Sequence, residues 1–180
     1  MTRRKVMIRI LTSREAINCS LFDQMEPELC EEDLSPVPTG DGEDQGPEQS
    51  ELLMEGRLVT TTHRVELVYE ESELTGMEGS VTSIGFDRAA PHVISMMRTG
   101  LVSTGMIFEA GKRHMCIYHT PFSDFEVCVR AFTVNNQLLT EGRLELDYLV
   151  EIHGAQTERC RMTVTVRNDV ADQTLDPSLL

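Results

Sequence analysis

Tryptophan is absent from this sequence and aromatic residues make up only 5% of it. That leaves too few ring faces for the stacking platforms that hold single-stranded nucleic acid. Long apolar runs are missing too: no stretch approaches the ~18 residues that a membrane span needs. The basic start, Met1 to Leu11, has the charge of a leader, but Arg9 interrupts its apolar stretch and no small-residue cleavage site follows. Cysteine is sparse and unpatterned. The five (Cys19, Cys30, Cys116, Cys128, Cys160) are odd in number, scattered, and form no Cys-x-x-Cys pair. They suit a reducing, cytoplasmic setting in which thiols act as small buried apolar groups. Positive charge is the scarcest commodity, 16 Lys and Arg against 30 Asp and Glu, for a net charge of −14. Nucleic acid and membrane surfaces, both polyanionic, are therefore not expected as partners.

The charge imbalance is local. Between Glu15 and Glu55 lie 13 acidic residues and no Lys or Arg, while the rest of the chain nets −1. The same window holds Pro27, Pro36, Pro38 and Pro47 with Gly40, Gly42 and Gly46, and has little apolar periodicity. Such a stretch cannot bury enough surface to offset its ordering entropy. Residues 15–51 are accordingly expected to form a disordered acidic insert, with an arm for a basic partner as the alternative. It separates a first strand in residues 1–12 from a main domain in 52–168, and residues 169–180 are expected to be a flexible tail.

What the chain does have is alternation. From Arg143 to His153 the even positions read Leu144, Leu146, Tyr148, Val150, Ile152, and the odd ones are mostly charged. That is the signature of an antiparallel strand with one buried and one wet face. After the turn Gly154-Ala155-Gln156, Cys160, Met162, Val164 and Val166 continue inward, with Arg159, Arg161 and Arg167 outward. Shorter alternating runs occur around Lys5–Leu11, Leu52–Val59, Val65–Tyr69, Val81–Phe86, His92–Arg98, Val102–Phe108, Met115–Tyr118 and Phe125–Val129. Asn135-Asn136 reads as a further hairpin turn. No window shows a helical stripe. About nine or ten closely spaced strands mean an all-β sandwich or barrel.

Several pieces carry a family resemblance in order and spacing. They are Glu55-Gly56, Tyr69-Glu70-Glu71-Ser72, Arg98-Thr99-Gly100, Phe108-Glu109-Ala110-Gly111, Tyr118-His119-Thr120-Pro121-Phe122 and Gly142-Arg143-Leu144-Glu145-Leu146-Asp147-Tyr148. Together they span most of residues 52–168 and resemble the YwiB-like family of uncharacterised bacterial proteins, with Lys5–Leu11 fitting its first strand. The resemblance implies a single antiparallel, calycin-type (lipocalin-like) β-barrel and no catalytic residues. The long acidic insert, and Ser123 in place of the usual Gly, depart from the family pattern.

The residues themselves offer little chemistry. Val81-Thr82-Ser83-Ile84-Gly85 lacks the first glycine of a nucleophile elbow. The five histidines include no His-x-His pair, and His114 and His119 fall on opposite faces of one strand. Glu70, Glu71 and Glu73 read as a solvated charge run entering a turn, and Cys116 and Cys128 as inert core thiols. No enzyme activity, metal or cofactor is expected. Arg98, ending a strand before Thr99-Gly100, is the candidate cation at a barrel mouth, suited to a carboxylate or phosphate; the alternative is a rim arginine paired with a local acid. Tyr118 and Tyr148 are candidate hydroxyl handles in a cavity, or plain core residues. The expected function is a non-catalytic barrel binding a small apolar or amphipathic ligand, its acidic head near Arg98. The alternative is a filled barrel serving as an interaction or regulatory module for a protein partner.

Overall fold

The computed structural model describes residues 1–22 and 47–168. Ten strands follow one another: β1 (Thr2–Ile17), β2 (Glu48–Thr60), β3 (Arg64–Glu70), β4 (Val81–Asp87), β5 (Val93–Thr99), β6 (Ser103–Glu109), β7 (Arg113–His119), β8 (Asp124–Gln137), β9 (Arg143–Ile152) and β10 (Thr157–Asn168). Each pairs antiparallel with its neighbours in sequence, and β1 closes on β10 with Val6 opposite Asn168 and Ile17 opposite Thr157. The result is a closed barrel. Alternation drives closure, because every strand sends each second side chain to one face, and only a sheet curled on itself buries that face without leaving an open edge. Val6, Ile8 and Ile10 of β1, Val65 and Leu67 of β3, Ile84 and Phe86 of β4, and Leu144 and Leu146 of β9 all enter this single core.

Two local expectations change. Asn135 and Asn136 do not turn the chain: both lie within β8, where Asn135 donates to Glu145 Oε2 (2.9 Å) and Asn136 to the Pro91 carbonyl (2.8 Å). The reversal comes later, at Gly142. Its φ of +67° is left-handed, and a Cβ there would lie 2.5 Å from the Val166 carbonyl oxygen, so only glycine fits. The acidic segment is also shorter than expected, since β1 runs to Ile17 and β2 begins at Glu48. Acids at its margins are rungs of the barrel: Glu51 pairs with Arg9 at 2.7 Å, and Glu15 with Arg161 at 3.2 Å. The Arg9 hydrogen bond holds the Glu51 carboxyl below its ordinary range. The remainder of the insert, 23–46, and the tail, 169–180, lie outside the described residues.

The barrel wall is double in one place. Leu149 and Glu151, on the outer face of β9, are buried although alternation points them toward water. They are covered by the strap that follows β1: Ile17 and Leu21 pack with Cys128 and Leu149, and Phe22 stacks on His153 with ring centroids 4.5 Å apart. The Glu151 carboxylate accepts hydrogen bonds from the Leu21 amide, the Ser20 hydroxyl (3.1 Å) and the Thr157 hydroxyl (3.2 Å). Arg113 grips the Leu21 carbonyl at 2.7 Å. A buried carboxylate persists only when its lone pairs are filled in this way. Ile152, expected inward, is instead exposed at the strand's end.

Candidate functional site

Three strands change character along their inward faces. On β1 the series Val6, Ile8, Ile10 continues as Thr12 and Arg14. On β5, Ile94 and Met96 lead to Arg98. On β3, Val65 and Leu67 lead to Tyr69, and then Glu71 just past the strand. Because the strand period of two delivers all of these to one side, the interior is apolar at one end and polar at the other. At the polar end the side chains stop filling it. A cavity of about 330 Å³ remains, walled by Ile10, Leu52 and four methionines (Met77, Met96, Met106, Met162), with Tyr69, Glu71, Arg98 and Tyr148 among its polar groups and Arg14, opposite Glu48 of β2, at its edge. Methionine is flexible and polarizable, so such a wall adapts to differently shaped apolar guests.

Glu71 and Arg98 form the centre of the site. Arg98 Nη2 lies 3.0 Å and Nε 3.2 Å from Glu71 Oε1, Nε also donates to Thr82 Oγ1 at 3.0 Å, and the Thr82 hydroxyl donates to the same carboxylate oxygen at 2.5 Å. The Glu71 side chain is 2% exposed and that of Arg98 13%. Glu71 is therefore no part of a solvated run. It is tucked in by the 3₁₀ turn Glu73–Thr75, which Gly76 ends in the left-handed region, and by its amide donating to the Ser80 carbonyl at 2.9 Å. Desolvating two charges is costly, and their close contact with the Thr82 hydroxyl is what offsets it. Arg98 is thus paired inside the barrel, where the sequence suggested a cation at the rim. Arg14 stays exposed, and no described carboxylate lies within ion-pair distance of it.

Tyr148 lines the cavity. Its ring sits edge-on to Phe108, centroids 4.8 Å apart, and it stands directly opposite Cys160 of β10. Tyr118 is not brought to the site. It stands between Thr104 of β6 and Phe125 of β8 and packs against the core elsewhere. Tyr69 and Glu71, which sequence reasoning passed over, take its place. The signal was present in the spacing, since Glu71 follows Tyr69 by two and so shares its face.

Burial pushes both the Tyr69 and Tyr148 phenols well above the ordinary 10.0. The folded protein keeps these groups protonated while the unfolded chain ionises them near 10.0, so their contribution to stability is complete below that pH and is lost as pH rises beyond it. In a Tyr118→Phe variant, which retains only these two of the three tyrosines, phenolate absorbance should appear together with loss of the β-sheet circular dichroism signal. Ionisation clearly ahead of unfolding would show that water reaches both hydroxyls.

The family model described as Domain of unknown function (DUF1934) matches residues 38–164. A comparison with curated proteins finds no match. Among solved structures, the crystal structure of the ywiB protein from Bacillus subtilis is similar, with a TM-score of 0.65 over 93% of each chain and 18% identity. At that identity the likeness concerns the fold alone. The matched residues run from within the acidic segment to β10 and take in the Glu71–Arg98 pair and most of the cavity wall. This chain belongs to the DUF1934, YwiB-like family of β-barrel proteins.

Proposed function

We propose that this protein is a non-catalytic, lipocalin-like barrel that binds one small apolar or amphipathic molecule in the cavity at its polar end. The observation that carries the reading is the cavity itself: about 330 Å³, within the range of roughly 300–1,000 Å³ typical of small-molecule sites, placed where the interior passes from apolar to polar. The methionine wall takes the apolar part. The charge on Arg98 is already met by Glu71, so an acidic head group turns to Arg14, the exposed cation at the edge. A cytoplasmic setting agrees with the thiols. Burial pushes Cys128 and Cys160 up to about 11, which keeps them protonated and unreactive.

A second reading, a module for a protein partner, draws on one observation. Met97, Ile107, Met115 and Ile117 are exposed on β5, β6 and β7, and apolar side chains gathered on an outer wall mark contact surfaces. Titration with a fluorescent fatty-acid analogue and its neutral alcohol separates the two. The barrel should bind both saturably. Arg14→Ala should weaken the acid about fivefold, as befits an exposed charge, and leave the alcohol unchanged. Met106→Trp, which fills the cavity, should abolish both. Wild type that binds neither analogue would sink the ligand reading and leave the interaction module.

A further inference from the structure

On the outer wall, the first residues of β1 stand beside β2 with Lys5 directly opposite Arg57. Like charges facing each other across a strand pair are destabilising, and here more positive charge is added, because Arg3 shares the outer face of β1 with Lys5. Glu55 answers Lys5 at 2.8 Å, and Arg4 reaches only the neutral Asn168 amide oxygen at 3.3 Å. Among the described residues no carboxylate pairs with Arg3 or Arg57. These cations rim a groove of about 500 Å³ in which Glu55 and Glu70 are the only acids among the described residues, and whose wall includes Val68 and the half-exposed Val81. The groove thus pairs a cationic rim with an apolar patch on β3 and β4.

From this groove we infer a second binding site, separate from the cavity, for a small organic phosphate ester. The phosphoryl group sits between Arg3 and Arg57, whose planar guanidinium forks match its oxygens better than a point charge would. The carbon part of the ester lies on Val68 and Val81. Its charge relieves the Lys5–Arg57 repulsion, so the strand pair that tolerates the like charges is also the one that gains from the anion. The chain's net charge of −14 does not forbid this, since at physiological ionic strength exposed charges are largely screened beyond about 8 Å.

The test uses the full chain, isotope-labelled for nuclear magnetic resonance, with phenyl phosphate, inorganic phosphate and phenol as probes. Phenyl phosphate should shift the amides of Arg57, Val68 and Glu70 saturably, and should bind more tightly than inorganic phosphate because its ring covers the valines. Phenol should leave these amides unmoved. Arg57→Gln and Arg3→Gln, both at exposed positions, should each weaken phenyl phosphate about fivefold or more, with thermal melting not lowered. Met106→Trp, which closes the cavity, should leave phosphate binding intact, so failure of the ligand reading and failure of this one are distinguishable. Shifts that never saturate, that phenol reproduces, or that persist undiminished in both arginine variants would overturn the site. Binding seen only with anionic lipid vesicles would overturn it as well.

Discussion

Arg98→Ala is expected to destabilise the protein by about 3–5 kcal/mol, the range for removing one partner of a buried ion pair. The variant leaves the Glu71 carboxylate, 2% exposed, with the Thr82 hydroxyl as its remaining described side-chain partner. The loss comes less from the missing attraction than from a charge stranded out of water. Removing both charges should do far less harm. Glu71→Leu with Arg98→Met replaces the pair by apolar groups that join the methionine wall, and such exchanges are often neutral or stabilising. Urea denaturation of wild type, both single variants and the double variant supplies the cycle. A loss below about 1 kcal/mol in Arg98→Ala, the range of exposed pairs, would mean that water already reaches Glu71. The pair would then be an ordinary surface contact.

Leu146→Asp should cost more than about 4 kcal/mol and unfold a domain of ordinary stability, since it sets an unpaired charge among buried apolar side chains. Leu146 is 2% exposed, facing Met162 on β10 and Val134 on β8. One position earlier, Glu145→Ala should stay within about 1 kcal/mol, for Glu145 is held on the barrel's surface by Arg143 and Asn135. The informative variant is Leu149→Asp. By alternation it lies on the wet face with Glu145 and should be tolerated. In the folded protein it is 0% exposed beneath the strap and should be nearly as damaging as Leu146→Asp. Chemical denaturation of the three variants reads this out directly. A mild Leu149→Asp would show that Ile17 and Leu21 do not cover β9.

The site was half legible. Arg98 and Tyr148 were identifiable because each ends or continues an alternating run whose inward face is plain, and an arginine or tyrosine in that phase must meet either a cavity or a partner. Tyr118 was equally in phase but belongs to β7, whose inward side chains meet β8 and not the cavity. Phase says which face a residue occupies, not which side chain stands across from it. Glu71 was misread because it falls in a cluster of acids near a turn, and composition treats such clusters as solvated. Its burial follows from a contact 27 positions away in the chain.

The antiparallel all-β class, about nine or ten strands and the apolar inner faces followed from the alternation, because an inward face repeated every second residue is a local property. That period fits a sandwich as well as a barrel, and the barrel was implied by the family resemblance. The family assignment rested on motifs in the same strands. The tertiary structure alone decided what lies beyond that period. It ran β1 and β2 into the acidic segment, because the cross-strand arginines that pair with Glu51 and Glu15 are invisible to a window along the chain. It laid the strap over Leu149 and Glu151, and it joined Arg98 to Glu71 across the interior. These are charge and burial relations between residues distant in sequence. A single chain read from end to end shows each partner, but only folding brings the two within the few ångströms at which their energies count.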